Sequence, residues 1–173
     1  DWELAHQCAD GLLNNVPGTA GDVAPALAES YDISADATTY TFHLRSGVKF
    51  PDGSAFNADA VIWTFDRIYK IAGVTSGDAS FLFTDYVASY EKVDDMTVSI
   101  TFAGPYAYAL QLVTTNPWKI LNPATWTDTE DNTTNTSCGI GPYVIESFKE
   151  GEEIIFVANE SYYGDQPKEA KVI

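Results

Sequence analysis

The stretch TYTFHLRSGVKFPDGSAFNADAVIWTFDRIYK, residues 39–70, carries the signals of one strand, one turn and one helix in succession. In Thr39–Arg45, Tyr40, Phe42 and Leu44 alternate with Thr41, His43 and Arg45, the period-two pattern of a half-buried strand. Pro51, Asp52 and Gly53 then predict a turn, because proline presets φ, aspartate bonds nearby backbone and glycine accepts positive φ. Asn57 can cap the free N–H groups of a following helix, and Asp59 falls where the helix dipole favours an anion. Val61, Phe65 and Ile68 form an inward stripe that ends near Arg67 and Lys70.

Upstream, Leu4, Cys8 and Leu12 at helical spacing predict a helix over Asp1–Leu13 with Gly11 at its fraying end. Gly18–Gly21 reads as a loop and Val23–Ser30 as a short connector with an apolar face. Downstream, Gly73–Asp78 breaks the helix, and Phe81–Tyr90 shows no clear period. A strand pair follows, Tyr90–Val93 and Thr97–Phe102, about a turn at Asp94 and Asp95. Gly104 and Pro105 stop it, Tyr106–Val113 reads as a short helix, and Asn116–Trp118 as an irregular crossing. A final hairpin joins Tyr143–Phe148 to Glu153–Ala158 through Glu150 and Gly151, its second arm apolar on both faces. Pro167–Ile173 ends on apolar residues where a new strand is starting, which reads as a truncation. The irregular alternation defines an α+β fold, a mainly antiparallel or mixed sheet with flanking helices.

The chain of 173 residues is 45% apolar, enough for a core. Its formal charge of −16 argues against nucleic acid as a partner. The acidic surplus fits a solvated surface, a basic ligand or a salty medium. No apolar run reaches the roughly 20 residues that span a bilayer, and no signal peptide opens the chain, so the protein reads as cytosolic or as processed. Acceptor sequons at Asn132, Asn135 and Asn159 favour the processed, exported reading. Cys8 and Cys138 could form one disulfide closing most of the chain, or be two buried thiols.

No catalytic group stands out. Only His6 and His43 could serve as imidazole bases, no serine sits in a nucleophile elbow, and the two cysteines lack the close His or Cys companions of a zinc site. Gly139-Ile140-Gly141-Pro142 lacks the third glycine of a dinucleotide loop, and Pro142 removes an N–H. Asp94/Asp95 and Glu152/Glu153 lie at turns as solvated charge. The expectation is therefore a binding protein without catalytic residues, metal or cofactor. Four Trp, ten Tyr and nine Phe could build an ordinary core or line a cleft for organic ligands. Trp118 and Trp126, flanked by Pro, Asn and Thr, look least core-like.

Two stretches carry a family likeness. Pro25-Ala-Leu-Ala-Glu-Ser-Tyr31, then Thr39–Arg45, Gly47-Val-Lys-Phe50, Asp52-Gly53 and Asn57-Ala-Asp-Ala-Val61 with Arg67, resembles the signature of the family 5 extracellular solute-binding proteins. Gly139-Ile-Gly-Pro-Tyr143, then Asn159-Glu-Ser-Tyr-Tyr-Gly164 with Pro167 and Lys168, resembles that family's second signature. Tyr31 stands where the family usually has Trp, Pro51 where His is frequent, Ile140 where Thr is common, and Ala60 replaces an acidic residue.

The resemblance implies part of a two-lobe, class II periplasmic-binding-protein-like fold. Residues 1–31 would belong to the first lobe, 32–138 to its smaller inserted subdomain and 139–173 to the return into that lobe, before a second lobe. It also implies a monomeric receptor outside the membrane, anchored to it in the full-length protein. Such a receptor captures di- or oligopeptides and delivers them to an ABC permease, with a nickel complex, an opine or a sugar as alternative ligands. A surface scaffold that kept the fold without transport is the competing reading. Thr115, Asn116 and Trp118 are expected to line the cleft. Gly139 and Gly141 would either let the backbone approach a ligand closely or form a hinge turn, and Ile140 would alter the cleft there. A Cys8–Cys138 bond would tie the opening segment to the second signature.

Overall fold

The computed structural model describes residues 7–71, 80–126, 139–149 and 151–173. Among them three antiparallel sheets are formed. The small sheet pairs β1 (Leu13–Asn15) with β2 (Val23–Pro25). The central sheet has the order β3-β4-β6-β5, with β3 Ala28–Ile33, β4 Thr39–Leu44, β5 Val87–Asp94 and β6 Thr97–Phe102. The last sheet has the order β7-β8-β9, with β7 Tyr143–Lys149, β8 Glu153–Ala158 and β9 Lys171–Val172.

The alternation in residues 39–44 becomes β4 as expected: Tyr40, Phe42 and Leu44 are buried and their neighbours half-buried. The turn forms with Gly53 at φ 86° and its N–H on the Phe50 carbonyl, while Asp52 receives the Ser54 N–H and hydroxyl. Helix α1 (Ala58–Ile71) starts directly after Asn57, whose Oδ1 accepts the Ala60 N–H at 3.2 Å. Its buried Val61, Phe65 and Ile68 face the central sheet. There Phe65 meets Tyr90 at 5.4 Å, Phe83 at 4.8 Å and Trp118 at 5.6 Å between ring centroids. The 81–90 stretch resolves into α2 (Phe81–Thr84) and the start of β5 at Val87, three residues earlier than the pattern indicated. Helix α3 is Ala109–Val113, and Asn116–Trp118 makes one 3-10 turn.

Two expectations are corrected. The opening helix does not reach Leu13: residues 7 and 8 are its last helical positions, and β1 begins at Leu13. The backbone from Asp10 to Leu12 bonds sideways instead. The Asp10 N–H goes to Ile140, the Asp10 carbonyl takes the Ile120 N–H, and the Gly11 and Leu12 carbonyls take N–H groups from Ala26, Leu27 and Ala28. The Val23–Ser30 connector is in fact β2 and the first half of β3, because these same bonds hold it extended beside the entry segment. The break at 73–78 lies outside the described residues, as do the sequons at Asn132 and Asn135.

Candidate functional site

Three stretches of backbone converge on the entry segment at 8–14: the crossing at 114–120, the glycine turn at 139–141 and the loop at 159–163. Both glycines are required by this convergence. A Cβ on Gly139 would sit 2.0 Å from the Ile120 carbonyl oxygen and 2.8 Å from the Ala9 Cβ, and one on Gly141 2.4 Å from the Cys8 carbonyl carbon. The close approach made possible here is that of the chain to itself. Ile140 between them is fully buried.

Asn159 latches the turn from the other side. Its Nδ2 donates to the Gly141 carbonyl at 2.9 Å, its Oδ1 accepts the Ser161 N–H at 3.0 Å, and its own N–H donates to Pro142. Only 5% of the residue is exposed, so this sequon is closed to a glycan in the folded chain.

A buried polar network, which pattern reading did not find, holds the convergence together. The Asp10 carboxylate, 4% exposed, accepts the Tyr162 hydroxyl at 2.8 Å, the Tyr163 hydroxyl at 2.6 Å and the Asn14 amide at 2.7 Å. Asn14 in turn accepts from the buried Lys119 ammonium at 3.0 Å, and the Arg45 guanidinium lies 5.0 Å from the Tyr163 ring centroid. Burial lowers the Lys119 pKa, opposed by the Asp10 charge. Burial first and then the Asp10 charge push both tyrosine hydroxyls up. The carboxylate thus gathers three donors and a nearby cation, the arrangement that makes a buried charge tolerable. Tyr162 and Tyr163 were visible as part of a motif, but Asp10 lay inside the supposed helix and nothing local ties it to residues more than 150 positions away.

Of the residues expected in a cleft, the indole of Trp118 is core. It is fully buried, with Phe83 at 4.6 Å, Phe102 at 5.9 Å and its Nε1 on the Leu82 carbonyl at 3.4 Å. Its polar neighbours in sequence misrepresented its depth; Trp126 is half-buried, with the Arg67 guanidinium 5.2 Å from its ring. Trp118 anchors the 3-10 turn from below and leaves Thr115 and Asn116 half-buried above it. The Thr115 hydroxyl donates to Leu112 at 2.7 Å. Asn116 Oδ1 is a buried acceptor with no hydrogen-bond partner among the described residues. Cys8 is buried, and Cys138 lies outside the described residues.

Antiparallel sheets joined through this buried junction are part of the class II periplasmic-binding-protein fold, and proteins of that class are the structural neighbours. NikA from Brucella suis, solved in complex with Fe(III)-EDTA, matches with a TM-score of 0.83 and 28% identity over 97% of this chain and 33% of its own. DppA from Helicobacter pylori, solved in complex with peptide STSA, matches with a TM-score of 0.79 and 28% identity over 95% of this chain and 36% of its own. In sequence, Di/tripeptide-binding protein 4 of Pseudomonas aeruginosa is 33% identical across 90% of this chain and 33% of its own length. The chain spans about a third of the length of these proteins. The model described as bacterial extracellular solute-binding proteins, family 5 Middle, matches residues 22–173, and the chain belongs to that family. It is a family of solute-binding proteins rather than of enzymes. No helix among the described residues is long and apolar enough to cross a membrane.

Proposed function

We propose that this chain is part of the receptor of an ABC importer that captures di- or oligopeptides outside the membrane and hands them to the permease. The observation that carries the reading is the similarity to a di/tripeptide-binding protein across 90% of the chain. The unpartnered Asn116 carbonyl supports it, because a peptide backbone offers the N–H donor that this oxygen lacks. Thr115 lines the same edge, Trp118 supports it from the core, and Gly139 and Gly141 hold the adjoining turn without touching ligand. The receptor acts as a monomer and is anchored to the membrane in the full-length protein. Residues 1–31 and 139–173 belong to its first lobe and 32–138 to the inserted subdomain, with β3 carrying the chain from one to the other.

The test is calorimetric titration of the full-length gene product with di- and tripeptides, before and after Asn116→Leu. The substitution removes the acceptor while keeping the volume, so peptide affinity falls by roughly five- to tenfold, the worth of one hydrogen bond. Unchanged peptide affinity would remove Asn116 from the site. Solved relatives include one bound to Fe(III)-EDTA, so a metal complex is the second ligand class to titrate.

A further inference from the structure

The crossing after α3 straddles the entry segment. The carbonyl oxygens of Val113 and Trp118 lie 3.2 and 3.3 Å from where a Cβ on Gly11 would stand, so both ends of the crossing rest on that glycine. Between those ends Thr115, Asn116 and Pro117 are half-buried, whereas Thr114, Trp118 and Lys119 are buried.

Two side-chain ties fix the crossing to consecutive residues of β1, one on either side of Asn116. Before it, the Thr114 hydroxyl shares its proton between the Gln111 carbonyl at 2.7 Å and Asn15 Oδ1 at 3.0 Å. After it, Lys119 Nζ donates to Asn14 Oδ1 at 3.0 Å, and Asn14 is held from behind by its own donation to Asp10. The support is itself fixed. Asn14 pairs with Ala24 and Asn15 with Val23 across β1 and β2, and Gln111 Nε2 donates to the Gly21 carbonyl in the loop between those strands at 3.0 Å.

Core packing does not account for the tie between Thr114 and Asn15. Trp118 already anchors the turn among aromatic rings. Thr114 is 2% exposed, and a valine of nearly the same shape would fill its place without taking a hydroxyl out of water. What a directional bond adds is position. An acceptor that takes a ligand N–H serves affinity best when it is held in place beforehand, because ordering it on binding subtracts from the gain. Asn116, two residues beyond the tie, carries the acceptor held in this way.

We propose that Thr114 and Asn15 are positioning residues of the peptide site: their bond fixes Asn116 Oδ1 where it accepts a peptide N–H, and Thr114 is too deeply buried to touch the ligand. The inference rests on the peptide-receptor reading of the Thr115–Asn116 edge.

The test is a double-mutant cycle, by calorimetric titration of the full-length gene product with trialanine. Thr114→Val removes the hydroxyl and keeps the shape, and peptide affinity falls roughly three- to tenfold. Asn15→Ala cuts the same bond from its exposed end and gives a loss of the same size. Thr114→Ser keeps the hydroxyl and binds within about twofold of the unsubstituted protein. In the Asn116→Leu background, where the positioned acceptor is gone, Thr114→Val has no further effect. A loss equally large with and without Asn116 would show a general structural role and overturn the proposal, as would unchanged affinity in both Thr114→Val and Asn15→Ala. Failure of the peptide reading shows separately, as absence of binding by the unsubstituted protein, and takes the inference with it.

Discussion

Gly139 shows at the scale of one residue how a short motif acts through the space it leaves empty. Its φ is unexceptional; what matters is a carbonyl oxygen where a Cβ would stand. Gly139→Ala must therefore displace backbone, and about 3 kcal/mol or more of stability is lost, at or above the upper end for overpacking. Urea denaturation checks this, with Gly53→Ala as a strain control, since Gly53 has positive φ but open space. The Asp10 network sets a pH dependence at the same scale. The phenols of Tyr162 and Tyr163 are raised in the folded state, so above the ordinary tyrosine value of about 10 the folded chain keeps protons that the unfolded chain loses. Stability therefore falls as pH rises past about 10. Lys119 acts in the opposite sense: between its lowered folded value and the ordinary lysine value, the unfolded chain binds the extra proton, so its contribution rises with pH. In urea titrations at about pH 8 and about pH 11, the double variant Tyr162→Phe, Tyr163→Phe is less stable at the lower pH but loses less between the two. An unchanged slope would mean that these hydroxyls do not titrate with unfolding.

Single elements differ in how far their residues announce them. β4 and α1 were legible because each carries its own period and its own boundary residues, and burial follows that period. The hairpin of β7 and β8 was legible through Gly151, which takes φ 74° in the turn. The entry segment was not, since Leu4, Cys8 and Leu12 satisfy a helical spacing while the backbone bonds of residues 10–12 are claimed by distant segments. Trp118 failed for a related reason: Pro117 and Asn116 describe its turn, and only the tertiary fold says what lies beneath it. Of the candidate site, Asn116 was expected to line a cleft and stands half-buried, and Asp10 was missed, because an isolated acid carries no local mark of three distant donors. Two predictions belong here. Asn57→Ala removes the side-chain cap of α1 and costs about 1 kcal/mol in chemical denaturation. Trp118→Ala costs about 3–5 kcal/mol, as a truncated core aromatic does, and a loss confined to ligand binding would contradict its place in the core.

Across the whole molecule, the entry segment, the crossing and the second signature form one buried junction, and a bond between Cys8 and Cys138 is a prediction at that scale. The expected outcome is that unreduced folded protein takes up no alkylating label by intact mass and two labels after reduction and unfolding. One or two labels accepted after unfolding without reduction would show free thiols. In that junction the buried Asp10, Lys119 and Asn159 side chains, with the half-buried Asn14, hold distant stretches of backbone together. The most direct test of the central claim is the thermal unfolding of the full-length gene product with a mixed di- and oligopeptide pool, with nickel and sugars as separate arms. Peptides raise the melting temperature by mass action, by an amount equivalent to about 2.7 kcal/mol at a hundredfold excess over Kd, while the other arms leave it unchanged. No shift with peptides, or a shift with nickel or sugars alone, would contradict the account.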